Sequence, residues 1–242
     1  VMIGFCGGGG SPIFAGTEVE WLTPLSEYRP PEYVQGWLSF WFDPLKRLNV
    51  AKEMQIIRLG NLTAIWKKES LFKEYNIYTD DQDFESIVSD METSIKEAKS
   101  VQNLLEIEAR ITKRLYAYVA RATGLTDFKR EHEAAYGANA FLNHGNYLAY
   151  GLAASALWTL GIPHSFAVMH GKTRRGALVF DIADLIKDAI VLPTAFICDI
   201  RGDDERKFRE TLMNLLVDKY EVLNMMIETI KLICAQYGEP IK

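Results

Sequence analysis

Between His170 and Asp188 the chain reads HGKTRRGALVFDIADLIKD, and this stretch restricts the fold more than any other. A histidine, the basic residues Lys172, Arg174 and Arg175, a short apolar run and two aspartates three positions apart follow one another. Gly176 to Phe180, apolar and partly branched, predicts a short buried strand, with His170 at the start of the hairpin that delivers it. From Asp181 the spacing becomes helical, with Ile182, Leu185, Ile186 and Ala189 as the buried stripe. Asp181 and Asp184 then share one face of a first helical turn.

A neutral imidazole beside hard carboxylates suits a divalent ion such as Mn²⁺ or Mg²⁺. Guanidinium and ammonium groups next to them suit a phosphate-bearing substrate. A plainer role fits the same residues. Aspartate is a favoured helix N-cap, and an acid three residues later resembles a capping box. Asp181 and Asp184 would then only start a helix, and Lys172, Arg174 and Arg175 would form a solvated turn. Taken alone, the stretch leaves both roles open, and a third ligand elsewhere would decide between them.

The rest of the chain predicts helices. Pro31 and Glu32 suit a first turn, and Val34, Trp37, Leu38, Trp41, Phe42 and Leu45 keep helical spacing toward Lys68, with a kink at Pro44. Trp37, Phe40, Trp41 and Phe42 could stack bases, but aromatics at this spacing are expected in the core. Asp80 to Glu97 predicts a solvated helix with Phe84, Ile87, Val88, Met91 and Ile95 inward. Val101 to Thr123 predicts a helix ended by Gly124, with Leu104, Ile107, Ile111, Leu115, Tyr118 and Val119 as its stripe. Glu108 falls inside that stripe and Glu106 outside it. A carboxylate on a buried face needs a partner, either an arginine or a metal. Arg110, Lys113, Arg114 and Arg121 share the flank, a face suited to tracking a phosphate backbone. Phe141 to Leu160 predicts an apolar central helix capped by Gly161, with His144 and His164 as core or capping residues. Asp203 to Tyr237 predicts one or two amphipathic helices. At the start, Val1 to Phe5 and Pro12 to Leu22 predict strands around the glycine run Gly7 to Gly10. That run lacks the Lys-Ser/Thr ending of a phosphate loop.

With 242 residues and ordinary apolar and charged fractions, the chain suits one large domain or a main domain with an appendage. A net charge of −5 argues against indiscriminate nucleic-acid binding, but charge is unevenly placed. Seven acids lie between Asp80 and Glu97, and six basic residues lie between Arg110 and Arg130. Cys6, Cys198 and Cys234 show no metal-ligand spacing and fit a reducing, cytoplasmic compartment. No signal peptide is evident. The uncharged stretch Ala134 to Gly171 is interrupted by asparagines, glycines and a proline, so a buried helix is expected and not a membrane span.

Three motifs occur in order: LLEIEARITKRLY around Glu108, then NHGNYLAYGLAASALW, then HGKTRRGALVFDIADLIKD. Together they resemble the CRISPR-associated spacer-acquisition integrase and endonuclease, the first-numbered Cas protein, and within it the type I-F branch. The resemblance covers essentially the whole chain. It implies a mainly α fold, a helical catalytic domain with a small β hairpin, preceded by the remnant of an N-terminal β domain. On that basis residues 1–25 are the β remnant and linker, and residues 26–242 the helical catalytic domain. The rest of the β domain is expected before Val1, and the segment Phe128 to Phe141 is short against the family pattern.

The resemblance also implies that Glu108, His170 and Asp184 bind one Mg²⁺ or Mn²⁺, with Asp181 as an accessory catalytic acid, which tips the choice above toward metal. It implies double-stranded DNA partners (spacer precursor and repeat or leader DNA) and a homodimer. It further implies association with the second-numbered Cas protein fused to the interference helicase-nuclease. The expected reaction is attack of a spacer 3′-hydroxyl on a repeat phosphodiester. From placement alone, Lys172, Arg174, Arg175, Arg110 and Arg114 are expected to hold DNA phosphates. Two other roles compete: a DNA- and partner-binding scaffold without catalysis when the β domain is lacking, and a zinc hydrolase, which is disfavoured because the site lacks a Cys and a second well-spaced His.

Overall fold

Side chains start several of the helices. In the computed structural model, which describes residues 12–15, 18–21, 31–125, 128–171 and 176–239, Asp43 caps helix α2 (Pro44–Lys68) by accepting from the amides of Leu45 and Lys46. Asp81 caps α4 (Gln82–Glu97), Ser100 caps α5 (Val101–Thr123) and Asp204 caps α9 (Glu205–Met213) in the same way. Gly124 and Gly202 end α5 and α8 (Leu192–Arg201) in the left-handed conformation that glycine adopts without strain. The remaining helices are α1 (Pro31–Trp41), α3 (Ser70–Glu74), α6 (Gly137–Thr159), α7 (Leu178–Ile186) and α10 (Val222–Tyr237). Two π-helical segments, Lys187–Val191 and Asn214–Lys219, lead into α8 and toward α10.

The fold is mainly α, as expected. Strands β1 (Pro12–Ala15) and β2 (Glu18–Trp21) pair antiparallel, with Pro12 opposite Trp21, so the single strand expected over Pro12 to Leu22 is two. Val1 to Phe5 and the glycine run lie outside the described residues.

Three expectations need correction. The strand and hairpin expected over Gly176 to Phe180 are instead a turn followed by α7, which begins three residues before Asp181. Leu178, Ile182, Ala183, Leu185 and Ile186 are all buried, so the segment shows no apolar face, and a short apolar run of that kind does not distinguish strand from buried helix. The capping role for Asp181 and Asp184 falls with it, since Ala177 occupies the cap position and no side chain caps this helix. Finally, the helix from Pro31 to Lys68 is two helices. The break at Asp43 leaves Phe42 and Leu45 exposed while Trp37 and Phe40 are fully buried.

Helix α6 is the centre of the packing, lying against α7, α8 and α10, while α2 lies against α7 and the π segment after it. Gly145 permits the close approach of α6 to this region, since a Cβ there would meet Val191 Cγ1 at 2.5 Å. The stripe expected on α5 is buried throughout. Among the described residues, no helix is long and apolar enough to cross a membrane.

Candidate metal centre

Three elements bring the site together. Helix α5 supplies Glu108, helix α7 supplies Asp181 and Asp184, and the loop after α6 supplies His170. That loop is fixed from two sides. On one side the indole N–H groups of α1 donate to its backbone, Trp37 to the Phe166 carbonyl at 2.9 Å and Trp41 to the Ala167 carbonyl at 2.8 Å. Both tryptophans clasp the loop, Trp37 from within the core and Trp41, partly buried, packed against it. On the other side, Asp181 accepts from the amides of Val168 at 2.7 Å, Met169 at 3.1 Å and His170 at 3.2 Å.

Asp181 also lies 2.7 Å from His170 Nδ1. A carboxylate accepts at that atom, so Nδ1 carries the proton and Nε2 is left as the acceptor face of the neutral ring. Nε2 lies 3.5 Å from Glu108 Oε2, and the Asp184 carboxylate is 3.9 Å from the ring. One ligand atom from each of Glu108, His170 and Asp184 lies within 4.8 Å of the others. Asp181 is not one of this group; it stands behind the imidazole.

Further charges surround the three, and these were not expected from the sequence. Buried Arg58 of α2 forms an ion pair from Nη1 to Glu108 Oε1 at 3.0 Å and donates from Nε to Asp188 at 2.8 Å. Lys187 pairs with Asp184 and lies 5.4 Å from the Tyr150 ring centroid. Arg58 sits in the buried stripe of α2 with Met54, Leu62 and Ile65, the same kind of signal that marked Glu108 on α5. Asp188 falls four residues after Asp184, in the π segment that follows α7.

Burial raises the Glu108 carboxyl above its ordinary range, helped by Asp184 and opposed by Arg58 and His170. Burial acts on Asp184 in the same direction, but Lys187, Arg58 and His170 outweigh it and hold that carboxyl low. Burial likewise disfavours the imidazolium of His170, yet the bond to Asp181 and the charges of Asp184 and Glu108 raise its pKa above 6.5. With the imidazole neutral, the carboxylates of Glu108, Asp181, Asp184 and Asp188 carry two more formal charges than the cations Arg58 and Lys187, a difference that one divalent cation would neutralise. Two carboxylates and one imidazole, without a thiolate, form a donor set for a hard divalent ion.

The basic residues divide. Lys172, Arg174 and Arg175 lie outside the described residues. Arg114 pairs with Asp90 at 2.8 Å and donates to Ser86, while Arg110 lies 3.5 Å from Asp90 and donates to Ser94. Arg121 pairs with Asp81 and Asp83. The basic flank of α5 and the acidic face of α4, distinct in sequence, thus meet each other. His144 contacts Glu205 at 2.8 Å, and burial lowers the pKa of His164; neither joins the metal group.

Residues 36–218 match the family described as CRISPR associated protein Cas1. The chain is 47% identical over 237 residues to the CRISPR-associated endonuclease Cas1 of Pseudomonas aeruginosa strain UCBPP-PA14, covering 96% of this chain and 73% of that one. The chain belongs to the Cas1 family. A second curated Cas1, from Pectobacterium atrosepticum, is 44% identical over all of this chain and 76% of its own length. Among solved structures, a Cas1 protein from Thermotoga maritima has a TM-score of 0.68 at 16% identity, covering 92% of this chain and 78% of that one. A TtCas1–DNA complex has a TM-score of 0.66 at 20% identity, covering 94% and 72%. A casposase bound to integration product has a TM-score of 0.70 at 15% identity, covering 92% and 70%. These three likenesses concern the Cas1 fold.

Proposed function

We propose that this Cas1-family chain is a divalent-metal-dependent DNA endonuclease and integrase of CRISPR adaptation, of the type I-F branch. The observation that carries the reading is the convergence of Glu108, His170 and Asp184, from three separate elements, to within 4.8 Å. The relatives named as endonucleases, and the fold neighbours solved with DNA and with an integration product, support the substrate class.

A bound Mg²⁺ or Mn²⁺ would supply Lewis acidity at the scissile phosphate. Glu108, His170 and Asp184 would hold it. Asp181 keeps the imidazole in the tautomer that presents Nε2 and fixes the loop that carries it. Lys187 and Arg58 hold the Asp184 carboxyl low, and Arg58 orients Glu108 through their ion pair. The 3′-hydroxyl of a spacer precursor attacks the phosphorus of a repeat phosphodiester. A new phosphorus–oxygen bond forms, the bond to the leaving 3′ oxygen breaks, and the proton of the attacking hydroxyl is lost as the leaving oxygen gains one. With water as the nucleophile, the same site nicks DNA.

The accompanying assignments are part of the proposal. Lys172, Arg174 and Arg175 hold backbone phosphates, in a salt-sensitive and sequence-independent way. Arg110 and Arg114 reach DNA only where a phosphate displaces Asp90. Residues 1–25 belong to the β domain and residues 26–242 to the catalytic domain. The chain acts as a homodimer with the second-numbered Cas protein.

The test is joining of a short duplex with free 3′ ends to a supercoiled repeat-bearing plasmid, with Mn²⁺ or with EDTA. Joining that requires Mn²⁺ and disappears in Glu108→Ala, His170→Ala and Asp184→Ala is the expected result. Undiminished joining by those variants overturns the reading.

A further inference from the structure

We propose that Arg58 is the positioning residue of the metal centre, holding Glu108 by one carboxylate oxygen so that the other stays turned to His170. The inference rests on the reading of Glu108, His170 and Asp184 as metal ligands. Arg58 is 4% exposed, and all three of its nitrogens are engaged. Nη1 reaches Glu108 Oε1 at 3.0 Å and Gln55 Oε1 at 3.3 Å. Nη2 donates to Thr112 Oγ1 at 3.1 Å, and Nε and Nη2 both donate to Asp188 Oδ2. Thr112 lies one helical turn after Glu108, so the guanidinium grips two positions on a single face of α5.

The division of the Glu108 carboxylate follows from this grip. Oε1 is taken by Arg58, and Oε2 is the oxygen 3.5 Å from His170 Nε2. A planar fork tied to α5, to Gln55 on its own helix and to the π segment after α7 cannot rotate without breaking several bonds. Glu108 is therefore presented through a single oxygen in a fixed orientation. Gln55 extends the grip to the histidine loop, its Nε2 lying 3.2 Å from the Met169 sulfur. Arg58 thus ties together the helix that carries Glu108, the segment that follows Asp184 and the residue before His170. Charge balance alone would need only a cation at this place.

Arg58→Lys separates these roles, because it retains the charge and loses the fork. The experiment is a Mn²⁺ titration followed by electron paramagnetic resonance on wild type, Arg58→Lys and His170→Ala, with thermal melts to verify folding. Wild type is expected to bind Mn²⁺ and His170→Ala to lose it. Arg58→Lys is expected to bind about 10–100-fold more weakly, with the Mn²⁺ concentration for half-maximal nicking raised by a similar factor. Wild-type affinity in a folded Arg58→Lys protein overturns the inference and leaves the metal-centre reading standing. No binding by wild type, or equal binding by His170→Ala, overturns that reading and the inference with it. Should Arg58→Lys fail to fold, Thr112→Val carries the test, because it removes one hold of the fork on α5. Weakened Mn²⁺ binding supports the inference, and unchanged binding overturns it.

Discussion

His170 Nδ1 lies 2.7 Å from Asp181 Oδ1, and the other oxygen of that carboxylate holds the amides of Val168 and Met169. One aspartate therefore sets both the tautomer of the histidine and the path of the loop that bears it. Asp181→Asn puts an NH₂ group where an acceptor is required, leaving a buried donor unsatisfied. A loss of roughly 1–3 kcal/mol in unfolding free energy is expected, together with weaker Mn²⁺ binding. Urea denaturation beside a metal titration checks both, and unchanged stability would contradict the account.

The clasp on the opposite side of the loop offers a milder test. Trp41→Phe keeps an aromatic ring against Phe166, 5.0 Å away, and removes the bond to the Ala167 carbonyl. A cost of about 0.5–1.5 kcal/mol is expected. Hydrogen exchange should quicken at Val168 to His170 more than elsewhere, and a uniform change would argue against a local clasp.

A second buried network controls acid stability away from the site. Glu69, 1% exposed, accepts from Lys219 at 2.9 Å, Tyr220 at 2.8 Å and the Leu71 amide. Burial alone would raise its pKa, but these bonds outweigh burial and hold it below 4.5. Because the folded value is the lower one, its contribution is present above pH 4.5 and is lost as pH falls through the folded value. Glu69→Gln should destabilise the protein near neutral pH and flatten the acid limb of its stability curve. Melts from pH 3 to 7 would show this, and parallel curves for the two proteins would contradict it.

Packing around α6 gives a further check. A Cβ on Gly145 would lie 2.5 Å from Val191 and 3.2 Å from Phe208. Gly145→Ala should cost roughly 1–3 kcal/mol by overpacking, despite the better helix propensity of alanine. A stabilised variant in calorimetry would contradict the close approach.

Much of this was legible in the sequence. The stripe of α5 and its Gly124 end follow from helical spacing and one glycine, and Glu108 stood out as a carboxylate within an apolar face. Its two possible partners were posed as alternatives, arginine or metal. The structure places Arg58 on one oxygen and His170 opposite the other, so the alternatives are compatible. What the sequence hid follows from how its signals work. The helical spacing from Asp181 was legible, but the start of α7, Leu178 to Phe180, is an apolar run too short to tell a strand from a buried helix. Arg58 is fifty residues before Glu108, and nothing local announces that they meet. The basic flank of α5 looked free for DNA because its partners, Asp81, Asp83 and Asp90, belong to another helix.

The most direct test of the central claim is nicking of supercoiled plasmid by wild type and Asp184→Ala, each with Mn²⁺ and with excess EDTA. The account predicts cleavage only by wild type with Mn²⁺, with the variant folded and still binding DNA. Equal cleavage by Asp184→Ala, or cleavage that persists in EDTA, would contradict a metal-dependent site built on Glu108, His170 and Asp184.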